Sequence, residues 1–138
     1  MKRTFVIGCG KLGASIANEV SRRGLEVIVV DPDESSFAML DDDFSGDAKV
    51  EDASDLETLI DLGIESAGQV YITTGNDNLS LFLAHACAIE FEIPYVYVRF
   101  DDPTLGILVQ GQSNIKAVYP FQLTRDRLTL LREGSDVQ

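Results

Sequence analysis

Ten residues constrain this chain more than any others: Thr4-Phe5-Val6-Ile7-Gly8-Cys9-Gly10-Lys11-Leu12-Gly13. A β-rich run meets glycines at Gly-x-Gly-x-x-Gly spacing, and a helix-forming segment over 14–23 follows. Gly8 suits a tight turn off the strand, Gly10 a close approach of pyrophosphate to the backbone, and Gly13 close packing of helix on sheet. The loop N–H groups and the helix N-terminus would make an anion site, to which Lys11 adds positive charge. The spacing alone also fits a glycine turn without a ligand. Its surroundings favour the ligand. The next strand, 25–30, ends at Asp31, 18 residues after Gly13, where a ribose-binding carboxylate belongs. An adenine nucleotide is the expected ligand.

A chain of 138 residues with 45% hydrophobic and 25% charged content is expected to form one globular domain. Its net charge of −12 argues against nucleic-acid backbones and anionic membrane surfaces as partners. Two cysteines, Cys9 and Cys87, form no disulfide framework and suit a reducing cytosol. The basic start Met1-Lys2-Arg3 precedes no apolar run of signal-peptide length, and no stretch is long enough for a membrane span. The expected location is cytoplasmic, without direct membrane insertion.

Strand and helix signals alternate along the chain. After strand two, Pro32-Asp33-Glu34-Ser35-Ser36 reads as a turn into a short helix over 35–40, and Asp41-Asp42-Asp43 as a solvated helix end, not a metal site. A third strand, 48–51, ends at Asp52-Ala53. Ser54 and Glu57 then have capping-box spacing before a helix over 55–62. Strand four, 69–73, closes on Thr73, and Thr74-Gly75-Asn76-Asp77-Asn78 follows, small polar residues of the kind that line a ligand crevice. Asn78 or Asp77 is expected to cap a helix over 79–91, within which His85 lacks a metal partner and Cys87 reads as core. Strand five, 95–99, ends at Arg99. A helix over 105–110 and a strand over 116–119 follow, and 122–133 reads as an amphipathic helix whose leucines need a partner surface. The expected architecture is a Rossmann-like, doubly wound parallel α/β sheet of order 3-2-1-4-5-6 with a trailing C-terminal helix.

The sequence resembles the N-terminal nucleotide-binding domain of potassium-transport regulators, the RCK or KTN family of the Trk and Ktr systems and of potassium channels. The resemblance runs through Gly8–Gly13, Asp31, Asp52-Ala53 with Leu56 and Leu59, Gly63-Ile64, Thr74 to Leu79, Val98-Arg99, Asp102-Pro103 and Val118-Tyr119-Pro120. Asp52-Ala53 is similar to the family's Gly-Asp-Ala, with Glu51 in place of the glycine. Gly46-Asp47-Ala48 spells that tripeptide four residues too early and is read as a decoy.

The resemblance implies a regulatory subunit, not an enzyme, that binds NAD(H) or ATP/ADP, assembles through dimers into rings and gates a membrane potassium pore. It implies a nucleotide-binding domain over 1–120, a trailing interface helix over 121–138, and a position at the inner face of the membrane through the pore partner. The C-terminal domain of many relatives would come from a second polypeptide or be absent from a stand-alone or truncated form. The expected cofactor-binding set is Gly8, Cys9, Gly10, Lys11, Leu12, Gly13, Asp31, Pro32, Asp52, Ala53, Thr73, Thr74, Gly75, Asn76, Asn78 and Arg99. Asp31, Asp33 and Glu34, with no Lys or Arg over 32–36, are expected to exclude NADP. Two readings compete. A nucleotide sensor of another transporter would carry the same motifs. An NAD-dependent oxidoreductase would need a proton donor or acceptor beside the nicotinamide, and the single histidine is mid-helix.

Overall fold

The computed structural model describes the backbone of residues 2–137; Met1 and Gln138, the outermost residues of the two expected segments, lie outside it. Six strands, β1 (Thr4–Ile7), β2 (Val27–Asp31), β3 (Asp47–Val50), β4 (Gln69–Ile72), β5 (Tyr95–Arg99) and β6 (Ile115–Val118), make one sheet. Every pairing is parallel and the order is β3-β2-β1-β4-β5-β6, the expected doubly wound topology. The helices are α1 (Lys11–Arg22), α2 (Leu56–Asp61), α3 (Asp77–His85), α4 (Gly106–Val109) and α5 (Pro120–Val137).

Alternation along the strands divides the core. Phe5, Ile7, Ile28, Val30, Val70, Ile72, Val96 and Val98 face the α2–α4 side, where Leu59, Leu83 and Cys87 meet them. Val6, Val27 and Val29 face α1, against Ala14, Ala17 and Val20. Apolar residues on both faces of the central strands are what a sheet covered on both sides requires. On the α1 side, however, the β4–β6 half is open. Tyr71 and Tyr97 stack there at 4.8 Å, half-buried, beside exposed Lys116 and Val118.

Several elements differ from expectation, each for a local reason. α1 starts at Lys11, three residues before the expected 14, because Gly10 is its N-cap. The 35–40 helix is a 3-10 segment, Glu34–Met39, tied to α1 by polar contacts. The Asn18 amide donates to Met39 O at 3.2 Å and accepts from Asp41 N at 2.9 Å. The Ser54–Glu57 capping box does not form. Asp55 caps α2 by accepting from Glu57 N, while the Ser54 hydroxyl donates to Asp52 at 2.7 Å.

Nor do Asn78 or Asp77 cap α3. Asn76 does so, and Asp77, already inside the helix, accepts from the N–H groups of Asp101 and Asp102 at 2.9 Å each. The expected 79–91 helix changes to π geometry over Ala86–Glu90. Asn114 donates to Ala88 O and Ile93 O there, satisfying carbonyls at the helix end. The 105–110 helix is a 3-10 turn, Pro103–Leu105, followed by the single turn of α4.

Both cysteines are fully buried. Burial, with the nearby Asp31 carboxylate adding to it, pushes the Cys9 thiol up to about 11, and burial alone pushes Cys87 up to about 12, from 9.0. A thiol kept protonated by folding stabilises the fold below its unfolded value and loses that contribution as pH rises toward the folded one. The urea midpoint is therefore expected to be insensitive to these thiols at pH 8 and to fall between pH 9 and 11. A disulfide-exchange reagent at pH 8 should label neither cysteine until the protein unfolds; rapid native labelling of Cys9 would contradict its burial.

Candidate functional site

The C-terminal ends of the strands carry short loops fixed by their own side chains. Asp33 accepts from Ser35, Asp52 from Ser54, and Asp102 from Thr104, each through a backbone N–H and a hydroxyl. Those bonds hold all three carboxyls below the usual carboxylate range. The sheet edge is thus a set of pre-formed turns.

At its centre β1, α1 and β4 meet without intervening side chains. Gly8 has φ 101°, and a Cβ there would lie 2.8 Å from the Thr73 carbonyl. A Cβ on Gly13 would collide with Gly8 O. The buried Thr73 hydroxyl donates to Gly8 O at 2.7 Å, closing the same contact from the β4 side. Around Gly10 there is open space, no side chain caps α1, and the first N–H groups of a helix lack intrahelical partners.

Asp31 lies at the end of β2, half-buried. Its carboxylate accepts from Cys9 N at 2.8 Å and from Asp33 N at 2.9 Å. Gly8 N donates to Val30 O at 2.8 Å. The N–H groups of Gly8 and Cys9 are therefore committed within the protein, which corrects the expectation that the loop supplies them to an anion. The backbone donors without a side-chain cap are those opening α1.

A cleft of ≈ 430 Å³ runs along this edge. It brings together eleven of the expected residues: Gly8, Gly10, Asp31, Pro32, Asp52, Ala53, Thr73, Thr74, Gly75, Asn76 and Arg99. The other five are placed differently. Cys9 is buried toward α1, and Gly13 is the contact point of helix and strand. Asn78 is exposed on α3. Lys11 and Leu12 line a neighbouring groove. Ile7, Val30, Ser36 and Leu79 also line the cleft and were not expected. The first two could have been found from strand alternation, as the last apolar residues before the edge; Ser36 and Leu79 depend on how their helices pack. Gly46-Asp47-Ala48 sits at the start of β3, the far end of the strand from the cleft.

This donor set fits an adenine nucleotide. Asp31 is an acceptor for ribose hydroxyls, the α1 N-terminus and the open ground at Gly10 suit phosphates, and Ala53 and Leu79 offer apolar surface. Arg99, ion-paired with Asp101 at 2.9 Å, brings the cleft's cation. Among the described residues no His, Cys, Asp and Glu cluster has metal-site geometry.

Residues 4–119 match the family model described as the TrkA-N domain. The chain belongs to that family. A curated relative is the Trk system potassium uptake protein TrkA of Streptomyces coelicolor, 29% identical over 133 residues, which are 95% of this chain and 59% of the relative. Among solved structures, the GsuK channel bound to NAD superposes with a TM-score of 0.82 at 23% identity, over 99% of this chain and 24% of that one. The same channel bound to ADP gives 0.69 at 24% identity, over 84% of this chain and 30% of that one. Both likenesses are of fold. The TrkA-N chain described here spans less than two thirds of the length of each of these three matched chains. No described helix is long and apolar enough to cross a membrane.

The glycine geometry makes opposite predictions for two neighbouring substitutions. Gly13→Ala should lower unfolding free energy by roughly 1–3 kcal/mol or more through overpacking. Gly10→Ala has room and an ordinary backbone angle, so the unfolded-state entropy gain and the N-cap preference for glycine over alanine oppose each other and its stability should stay within about 1 kcal/mol of native, while nucleotide binding weakens. Urea denaturation of both variants, followed by calorimetric titration, checks the pair.

Proposed function

We propose that the chain is the nucleotide-sensing part of a regulatory subunit that gates a potassium uptake system or potassium channel from the cytoplasmic side. Residues 1–120 form the nucleotide-binding unit and 121–138 the assembly segment. The observation that carries the reading is the conjunction at one cleft of the Asp31 carboxylate, the uncapped α1 N-terminus at open Gly10, and Arg99. Family membership supplies the potassium context. The ligand is NAD(H) or ATP/ADP; one solved neighbour is described bound to NAD and to ADP. A regulatory role is favoured over an oxidoreductase because the lone histidine, His85, bonds Leu108 O at 2.9 Å on α3 and does not line the cleft.

NADP is disfavoured. Its 2′-phosphate would approach Asp31, Asp33 and Glu34, and one like-charge pair at about 5 Å costs roughly 3 kcal/mol at an effective dielectric of ~20. Solvent exposure at the turn reduces this, so calorimetry should show NAD binding about tenfold to a hundredfold tighter than NADP. Equal affinities would contradict the role given to Asp31.

Assembly follows from uncovered apolar surface. α5 exposes Phe121, Leu123, Leu128, Leu130 and Leu131 and makes no extensive contact with the rest of the described chain. The same molecule leaves the Tyr71–Tyr97 half-face of its sheet open. A helix needing cover and a sheet face needing a helix suit exchange between two copies, from which larger rings can grow. Sedimentation should give a dimer or larger species at micromolar concentration, reduced in mass by Leu128→Glu with Leu131→Glu.

The functional test is potassium uptake in cells that lack their own systems, supplied with the cognate pore and any separate C-terminal subunit. Gly10→Asp, which places a carboxylate where phosphate would sit, should abolish nucleotide-dependent control of flux. Unchanged regulation in that variant, with its nucleotide binding shown to be lost, would overturn the assignment.

A further inference from the structure

The cap of α3 is Asn76, whose side chain accepts from Leu79 N at 3.0 Å. The next residue, Asp77, sends its carboxylate elsewhere: Oδ1 accepts from Asp101 N and Oδ2 from Asp102 N, each at 2.9 Å. Both acceptors are spent on a turn 24 and 25 residues along the chain. An acid in the first turn of a helix is favoured by the helix dipole wherever its oxygens point. Helix formation alone therefore does not call for this two-pronged grip.

The gripped turn follows Arg99, the last residue of β5. Its internal shape is set without Asp77. Phe100, fully buried, donates its N–H to Val118 O at 3.0 Å, and Asp102 accepts from Thr104 N and Oγ1. What Asp77 adds is the attachment of residues 101–102 to the start of α3. Asp101, so attached, accepts from Arg99 Nη2 at 2.9 Å. Arg99 lines the ≈ 430 Å³ cleft, as do Thr74, Gly75 and Asn76 just before Asp77, whereas Asp77 and Asp101 do not line it. An exposed ion pair is weak because two mobile side chains must be ordered to make it. Anchoring the backbone of one partner removes part of that freedom.

We infer that Asp77 is a positioning residue for the cleft: by fixing the 101–102 turn it keeps Asp101, and with it Arg99, beside the place where a ligand phosphate would sit. The inference rests on the proposed nucleotide site and adds to it a residue that does not line the cleft. A phosphate then meets a guanidinium already parked at the cleft and need not order it. Losing the grip leaves every cleft-lining side chain present but returns its freedom to Arg99. Ordering one such side chain on binding costs about threefold to tenfold in affinity.

The test is a double-mutant cycle read by calorimetry with two probes, ADP and adenosine. Asp77→Ala should weaken ADP about threefold to tenfold and adenosine, which has no phosphate, by less than about twofold. In an Arg99→Ala background the same substitution should change ADP affinity by less than about twofold, because the group it positions is gone. Asp77→Asn, which keeps one of the two acceptors, should show the same pattern with a smaller loss, and it carries the cycle if the alanine variant does not fold. Native ADP affinity in Asp77→Ala, equal losses for ADP and adenosine, or an undiminished loss in the Arg99→Ala background would overturn the inference and leave the nucleotide reading standing. So would an Arg99→Ala protein that binds ADP as the native protein does. If neither ADP nor adenosine binds the native protein, the nucleotide reading itself fails, and the inference with it.

Discussion

The arrangement of this domain depends on one contact, the approach of α1 to the first turn of the sheet at Gly8, Gly13 and Thr73. A parallel sheet needs its first crossover helix seated directly on β1, and any side chain at Gly13 would meet Gly8 O. The Thr73 hydroxyl bonds to that same carbonyl at 2.7 Å, so β4 is fixed to the loop as well as to β1. This locks the two halves of the doubly wound sheet together at the point where strand order reverses. A crevice results because the connections from β1 and β4 leave on opposite faces. The site is a consequence of the packing that makes the sheet.

Asp31 extends the same logic to the charge of the site. Its carboxylate spans the end of β2, the glycine loop and the following turn through Cys9 N and Asp33 N. A group positioned for a ligand is therefore also part of the internal hydrogen-bond network. Removing it by Asp31→Ala would free two backbone donors, at a cost of order 1–3 kcal/mol for each if left unpaired. Asp31→Asn, which retains acceptor capacity, separates the two roles more cleanly. The sequence motif names the residue and its distance from the glycines; the dual role appears only when the turn at 31–33 is seen folded back on the loop.

What was legible in the sequence was whatever backbone geometry or periodicity dictates. Gly-x-Gly-x-x-Gly with a strand before and Asp31 beyond marks strand, turn, helix and acid, because the backbone at Gly8 and the contact at Gly13 leave no room for a side chain. The alternating signals yielded the sheet order. Capping was less legible, since Ser54, Asp55, Asn76, Asp77 and Asn78 all carry competent side chains and a shift of one residue changes which of them faces the helix. Tertiary contacts settled it, with Asp77 drawn to the backbone of Asp101 and Asp102. The π turn after His85 was equally invisible; Asn114, 26 residues away, bonds Ala88 O there. Likewise, Asn78 was read as a cleft residue by adjacency; in the structure it is an exposed residue of α3.

Charge distribution gives the site a further character. No Lys or Arg occurs between Lys49 and Arg99, and the chain carries a net charge of −12. Lys11 and Arg99, two of the eleven basic residues, lie together by the N-terminus of α1. Positive charge beside a helix N-terminus favours a phosphate there, while the net negative charge of the whole chain disfavours polyanions. The Arg99–Asp101 pair adds a switchable element, since both groups are solvent-accessible, at 29% and 60% exposure. A phosphate that draws Arg99 away from Asp101 exchanges one weak, screened pair for another, so the conformational cost is small. In the proposed regulatory role, binding energy would then be free for contacts that differ between two states of the assembly. Differential affinity between two states is the only means by which a ligand can move an equilibrium, and couplings of about 1–3 kcal/mol per site accumulate when several copies share an assembly.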